Sequence, residues 1–130
     1  MISFTGSTAV GRSIGQICGQ MLKKVALELG GHNAIIVLDD ADVDAATSGG
    51  AWGSFHQGQI CMQTGRHLVH RSVANQYVSR LAERARKLVV GNPRSNPVHL
   101  GPLINQKQLD RIDSIVKQSA AGARLVGGKL

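Results

Sequence analysis

Residues 2–13 read ISFTGSTAVGRS, and the fold turns on how this stretch is read. ISFT, residues 2–5, has the character of a short strand running into Gly6. From Thr8 the apolar positions Val10, Ile14, Ile17, Cys18 and Met21 recur at helical spacing, which predicts a helix over about 8–22. Gly6 and Gly11 stand four residues apart with Arg12-Ser13 behind them, one substitution from the P-loop pattern G-x-x-x-x-G-K-[ST]. A strand, a small-residue turn and a helix N-terminus together present backbone N–H groups and a favourable dipole to an anion. A nucleoside triphosphate or a dinucleotide pyrophosphate suits that arrangement. A P-loop, however, needs a lysine on the β/γ-phosphates and a later strand ending in an Asp for Mg²⁺. Arg12 is a poor stand-in for the lysine, although Asp39 or Asp40 mimics the second part. On spacing alone, an ordinary strand-to-helix turn fits equally well.

Working outward, KVALEL (24–29) predicts a strand ending at Gly30-Gly31. NAIIVLD (33–39) is a continuous apolar run suited to a strand buried on both faces. Asp42 opens a helical pattern through Ala45, Ala46, Trp52 and Phe55. A loop carrying Cys61 follows, then a strand at RHLVH (66–70). Ser72 is the expected N-cap of a helix with Val73, Tyr77, Leu81, Ala85 and Leu88 on one face, stopped by Gly91-Asn92-Pro93. All three prolines fall within 91–104, a predicted loop. Leu109, Ile112 and Val116 mark a last helix, and ARLVGG (123–128) reads as a strand and turn. Strands alternating with helices predict α/β architecture. The first and last residues read as interior segments of a longer chain.

The chain has 130 residues, 42% hydrophobic and 18% charged, enough for a packed core and without a run of membrane length. The N-terminus lacks the pattern of a secretory signal, and two unlike cysteines fit a reducing, cytoplasmic setting. Fifteen Lys and Arg against eight Asp and Glu give a net charge of +7, which raises the question of nucleic acid. The densest basic stretch, RLAERARK (80–87), carries Glu83 among its cations and fits a solvated helix face. Trp52, Phe55 and Tyr77 are not interleaved with it as base-stacking would require. No nucleic-acid or membrane partner is expected.

Three further stretches bear on chemistry. DDADVDAAT alternates Asp40, Asp42 and Asp44, but the glycine and glutamate of a calcium loop are replaced by Ala45 and Ala51, so no metal site is expected. In HQGQICMQTGRH, Cys61 sits in a polar loop between His56 and His67, unlike Cys18 on its apolar helix face. It is either a reactive thiol, paired with a histidine or activated otherwise, or a small residue in a tight loop. In ALELGGH, Glu28 ends an apolar strand. It is either a partly buried carboxylate with a pKa raised toward that of a general base, or an edge-strand glutamate on a solvent face.

FTGSTAVG, LELGGHN and GQICMQTGR, in that order, together with IIVLDDADVDAA, VGNP, GPLI and GARLVGG, resemble the aldehyde dehydrogenase superfamily, in the flavour of its benzaldehyde- or vanillin-type branch. The resemblance covers essentially the whole chain. It implies that the glycine stretch is the end of a Rossmann-like NAD or NADP domain (residues 1–29) joined to the first part of the α/β catalytic domain (30–130). Gly6 and Ser7 would approach the cofactor phosphates, Val10 and Gly11 would complete the turn, and Thr5 and Leu29 would border the nicotinamide. Cys61 matches the family's nucleophile and Glu28 its general base. The implied reaction is metal-free oxidation of an aldehyde to a carboxylic acid. Cys61 thiolate attacks the carbonyl, its backbone N–H stabilises the oxyanion, hydride passes to the nicotinamide, and Glu28 activates water against the resulting thioester. His32 departs from the Lys or Arg usual after LELGG. The parts of the family's site missing from this sequence imply that the 130 residues alone are inactive and that the whole protein is a homo-oligomer.

Overall fold

The structure, a computed structural model, describes residues 1–120, 122–124 and 126. Among them the elements are β1 (Ile2–Gly6), α1 (Thr8–Gln20), β2 (Val25–Leu29), β3 (Asn33–Val37), α2 (Val43–Ser54), β4 (Thr64–Val69), α3 (Arg71–Arg86) and α4 (Gln106–Ala120). β1 pairs with β2 and β3 with β4, both in parallel. Parallel neighbours cannot be joined by a tight turn and need a crossover, which α1 and α2 supply. The result is two successive β–α–β units, the α/β class expected. The strand and turn expected over 123–128 lie largely outside the described residues.

In the first unit Ser7 caps α1, its Oγ accepting from the Val10 N–H at 3.4 Å. The helix lies against the Leu27 and Leu29 face of β2. A Cβ at Gly11 would stand 2.5 Å from Leu29 Cδ2, so the bare Cα is what lets helix and strand approach. Val10 and Gly11 therefore do not complete the turn as expected. They belong to the first turn of α1, where the Gly11 N–H donates to the Ser7 carbonyl at 2.9 Å. Because alternate strand residues face opposite ways, Thr5 and Glu28, directly paired, share the face turned away from α1.

The second unit packs Val37, Val43 and Tyr77 into a buried cluster flanked by Ile35, Val69 and Leu81. Asp42 caps α2, its Oδ1 accepting from the N–H groups of Asp44 (2.8 Å) and Ala45 (3.2 Å). Asp44 pairs with Arg80 of α3. Lys87 bonds Glu83 at 2.8 Å and holds its carboxyl below the ordinary range. Asp42 and Asp44 of the aspartate run and part of the basic helix are thus occupied in local structure.

Three expectations are corrected here. The apolar run 33–39 is not covered on both faces. The strand ends at Val37, and Ile36 is 68% exposed because α2 and α3 occupy only the opposite side. Ser72 is not the N-cap of α3. The His70 N–H still bonds the Val37 carbonyl (2.9 Å), so the ladder runs straight into the helix. His70 becomes the cap and its Nδ1 accepts from the Ser72 N–H. Nor does α3 reach Gly91. The Val89 carbonyl accepts from the His99 (2.8 Å) and Leu100 (3.2 Å) N–H groups, and the Val89 N–H donates to His99 Nδ1 at 2.9 Å. That pairing draws the chain out of the helix after Arg86 and leaves Leu88 beyond it.

His67 ties the unit together, with Ser54 Oγ at 2.7 Å from Nε2 and Tyr77 Oη at 2.6 Å from Nδ1. The Ser54 hydroxyl donates to the Thr64 carbonyl (3.1 Å), so Nε2 carries the proton and Nδ1 accepts from Tyr77. Burial pushes the His67 pKa below its ordinary 6.5, partly opposed by a backbone bond to Thr64. A lowered folded-state value means the unfolded chain binds the proton first, so the contribution is intact above pH 6.5 and lost as pH falls below it. Urea titrations should show the unfolding midpoint dropping between pH 7.5 and 5.5, with a smaller drop in His67→Gln. An equal drop in both would remove His67 as the cause.

Candidate active site

β1 and β2 end side by side, and the face opposite α1 opens into a cavity of about 700 Å³. Its first wall is Thr5, Gly6 and Ser7, where β1 passes into α1. The second is Glu28 with the connection Leu29–His32. The third is the Cys61 loop, including Gly58, Gln59 and Ile60. Arg111, Ile112 and Ile115 of α4 close a fourth side. Cys61 and Glu28, 33 residues apart in sequence, thus share one cavity, and both are exposed to it. The partial burial considered for Glu28 is not observed: its side chain is exposed in the cavity.

The loop is shaped by main-chain geometry. Gln57 (φ 60°) and Gly58 (φ 70°) both adopt the left-handed region, which reverses the chain after α2. For Gln57 that conformation costs about 1–2 kcal/mol. Its side chain offsets this by donating to the carbonyls of Gly101 and Pro102. Gln59 Oε1 accepts from the Ile104 N–H at 2.9 Å. Cys61 is then the second residue of a turn closed by the Gln63 N–H on the Ile60 carbonyl at 3.1 Å. Its own N–H donates to no acceptor among the described residues. Asn33 Nδ2 reaches the Cys61 carbonyl at 2.8 Å.

Of the residues singled out in the sequence, Thr5, Gly6, Ser7, Glu28, Leu29 and Cys61 line the cavity, while Val10 and Gly11 do not. His56 and His67, the partners a Cys–His pair would use, are also absent from it. His67 is held by Ser54 and Tyr77, and the His56 ring packs edge-on to Trp52 at 5.6 Å. Of the apolar side chains around the thiol, Ile60 lines the cavity, whereas Trp52 and Met62 do not. Cys18 is buried. Sequence reasoning missed Asn33, the clamping roles of Gln57 and Gln59, and Arg111. A polar residue opening an apolar strand was the only trace of Asn33. Arg111 shares a helix face with Ile115, which reads as core edge.

The first turn of α1 also bears on the cavity. Ser7 Oγ takes up the Val10 N–H, and those of Thr8 and Ala9 have no acceptor among the described residues. With Gly6 and Ser7 on the wall, these free donors at a helix N-terminus match the chemistry of a dinucleotide phosphate.

The aldehyde dehydrogenase family model matches residues 1–130. The chain belongs to the aldehyde dehydrogenase family. It is 63% identical over 130 residues to a benzaldehyde dehydrogenase [NAD(+)] of Pseudomonas putida, covering 98% of this chain and 27% of that protein. It is 58% identical to a vanillin dehydrogenase of Amycolatopsis, with the same coverage. The crystal structure of a salicylaldehyde dehydrogenase from Pseudomonas putida G7, complexed with salicylaldehyde, superposes with a TM-score of 0.94 at 42% identity, over 99% of this chain and 27% of that one. The Rossmann-like β1–α1–β2 unit and the units that follow are those of this family of oxidoreductases. The chain spans about a quarter of the length of the relatives it matches. No helix among the described residues is long and apolar enough to cross a membrane.

Proposed function

We propose that this chain carries the nucleophile and the general base of an NAD(P)-dependent aldehyde dehydrogenase that oxidises an aromatic aldehyde to its carboxylate. The observation that carries the reading is the convergence of Cys61, Glu28 and the N-terminus of α1 on one cavity. Residues 1–29 are assigned to the end of the cofactor domain and 30–130 to the start of the catalytic domain. The aromatic preference follows the benzaldehyde, vanillin and salicylaldehyde enzymes to which the chain is similar.

Gly6, Ser7 and the free first-turn amides of α1 would hold the cofactor phosphates, and Thr5 and Leu29 would border the nicotinamide. Cys61 as thiolate adds to the aldehyde carbon, and the negative charge on the former carbonyl oxygen is met by the uncommitted Cys61 N–H. Bound NAD(P)⁺ supplies the acceptor for the hydride that leaves the thiohemiacetal carbon. A thioester on Cys61 remains. Glu28, in the same cavity, takes a proton from water as the water adds to the thioester carbonyl, and the thiolate leaves with the carboxylic acid formed. Sulfur serves both steps, as a good nucleophile near neutral pH and a good leaving group from an acyl carbon.

The whole protein is expected to reduce NAD⁺ or NADP⁺ when benzaldehyde or vanillin is added, followed at 340 nm. The 130-residue chain alone is expected to show no turnover. Cofactor reduction by the isolated chain, or none by the whole protein with any aromatic aldehyde, would contradict the proposal.

A further inference from the structure

We propose that Asn33 is a positioning residue that sets the nucleophile's turn at a fixed reach from Glu28. The inference rests on the dehydrogenase reading of the Cys61 cavity. Asn33 opens β3, and its side-chain amide donates to two main-chain carbonyls, those of Cys61 (2.8 Å) and Gln63 (3.2 Å). Both carbonyls belong to the turn that presents the thiol.

The reason lies in the strand register. Asn33 pairs with Thr64 but Ala34 with Arg66, so Gly65 is an extra residue on β4. Before this bulge the chain at 61–63 leaves β3 and can no longer be held by ladder bonds. The two N–H groups of the Asn33 amide take their place. A Cβ on Gly65 would lie 2.8 Å from the His32 ring, so the bulge also fits closely under the neighbour of Asn33.

The connection reaches Glu28 through the main chain. Glu28 is the penultimate residue of β2, and the connection 30–32 leads from the strand directly to Asn33. Gln57 and Gln59 hold the other side of the loop, but to residues 101–104, which carry no reacting group. Asn33 thus links the start of β3, which follows the base's strand after three connecting residues, to the nucleophile's turn. Holding the Cys61 carbonyl orients the Cys61–Met62 peptide, and with it the direction of the thiol and of the Cys61 N–H. The carboxylate of Asn33→Asp would place negative charge against both carbonyl oxygens. Asn33→Ala would leave them to water.

The test uses the whole protein in a Cys18→Ala background, so that Cys61 is the thiol read within this segment. Asn33→Asp and Asn33→Ala are expected to lower kcat by about 10- to 100-fold, with the cofactor KM changed less than about twofold. They should also slow iodoacetamide alkylation of Cys61, followed by peptide mass spectrometry. Asn33→Ser, which keeps one donor, should fall between them and the parent and carries the test if the other two do not fold. A lowered Tm with unchanged kcat and alkylation rate per folded molecule would overturn the positioning role. Full turnover in Cys61→Ala would instead overturn the dehydrogenase reading, and the alkylation rates would still report on Asn33.

Discussion

Cys61→Ala in the whole protein is expected to abolish aldehyde oxidation, with kcat falling by at least about 10⁴-fold, the scale seen when a covalent nucleophile is removed. The change deletes one sulfur from an exposed turn, so the fold has little reason to respond. The turn is closed by main chain and by the side chains of Asn33, Gln57 and Gln59, none of which touches the thiol in a hydrogen bond. Circular dichroism and Tm should match the parent, and binding of the oxidised cofactor should persist. Cys18→Ala gives the opposite pattern. Cys18 is 4% exposed on the inner side of α1, so its loss should lower stability by about 1 kcal/mol and leave kcat nearly unchanged. Cys61→Ala retaining more than about one part in a hundred of the parent kcat would rule out covalent catalysis at this position.

Glu28→Gln separates the two halves of the reaction. The amide is isosteric and cannot take a proton from water, so attack and oxidation should proceed while hydrolysis stalls. Mixing enzyme, cofactor and aldehyde should give a rapid burst of about one reduced cofactor per site, followed by turnover slower by about 10²- to 10⁴-fold. The peptide containing Cys61 should then carry the mass of the acyl group. Hydroxylamine, which attacks thioesters without a base, should restore turnover. No burst, with the Cys61 peptide unmodified, would move Glu28 to a step before the thioester. Parent-like turnover would remove it from the chemistry altogether. The exposure of Glu28 in the cavity fits this use, since the water it activates must reach it.

The legibility of the site differs from residue to residue. Cys61 and Glu28 stand out in the sequence because their side chains are out of keeping with their neighbours, a thiol in a polar glycine-rich loop and a carboxylate between two leucines. The glycine pair at 6 and 11 also stands out, but its two members do different things. Gly6 borders the cavity, whereas Gly11 is small so that α1 can lie against Leu29. No spacing rule distinguishes them, because a glycine needed for approach to a ligand and one needed for approach to a side chain look alike in one dimension. His56 and His67 flank Cys61 in the sequence, five residues before it and six after it. Only packing shows one ring against Trp52 and the other between Ser54 and Tyr77.

Ser72 and the end of α3 show the same principle at element boundaries. A serine ahead of an apolar periodic run is a sound cap by local rules. The ladder bond from His70 to Val37 nevertheless carries the strand to the edge of the helix and makes His70 the cap. Gly91 is a sound stop, but the pairing of Val89 with His99 and Leu100 ends the helix sooner. Each displacement comes from a partner distant in sequence.

By itself the sequence determined the α/β class, the order of strands and helices, the two candidate reacting side chains and the family, because periodicity, turn chemistry and ordered motifs are local properties of a chain. Tertiary structure alone decided that Cys61 and Glu28 open onto the same cavity, that Asn33 bonds the Cys61 turn, and that Val10, Gly11 and both flanking histidines stand outside the cavity. Those facts depend on register and on which face of each element is covered. A bulge of one residue or a helix laid on one side of a strand changes them without altering any local pattern.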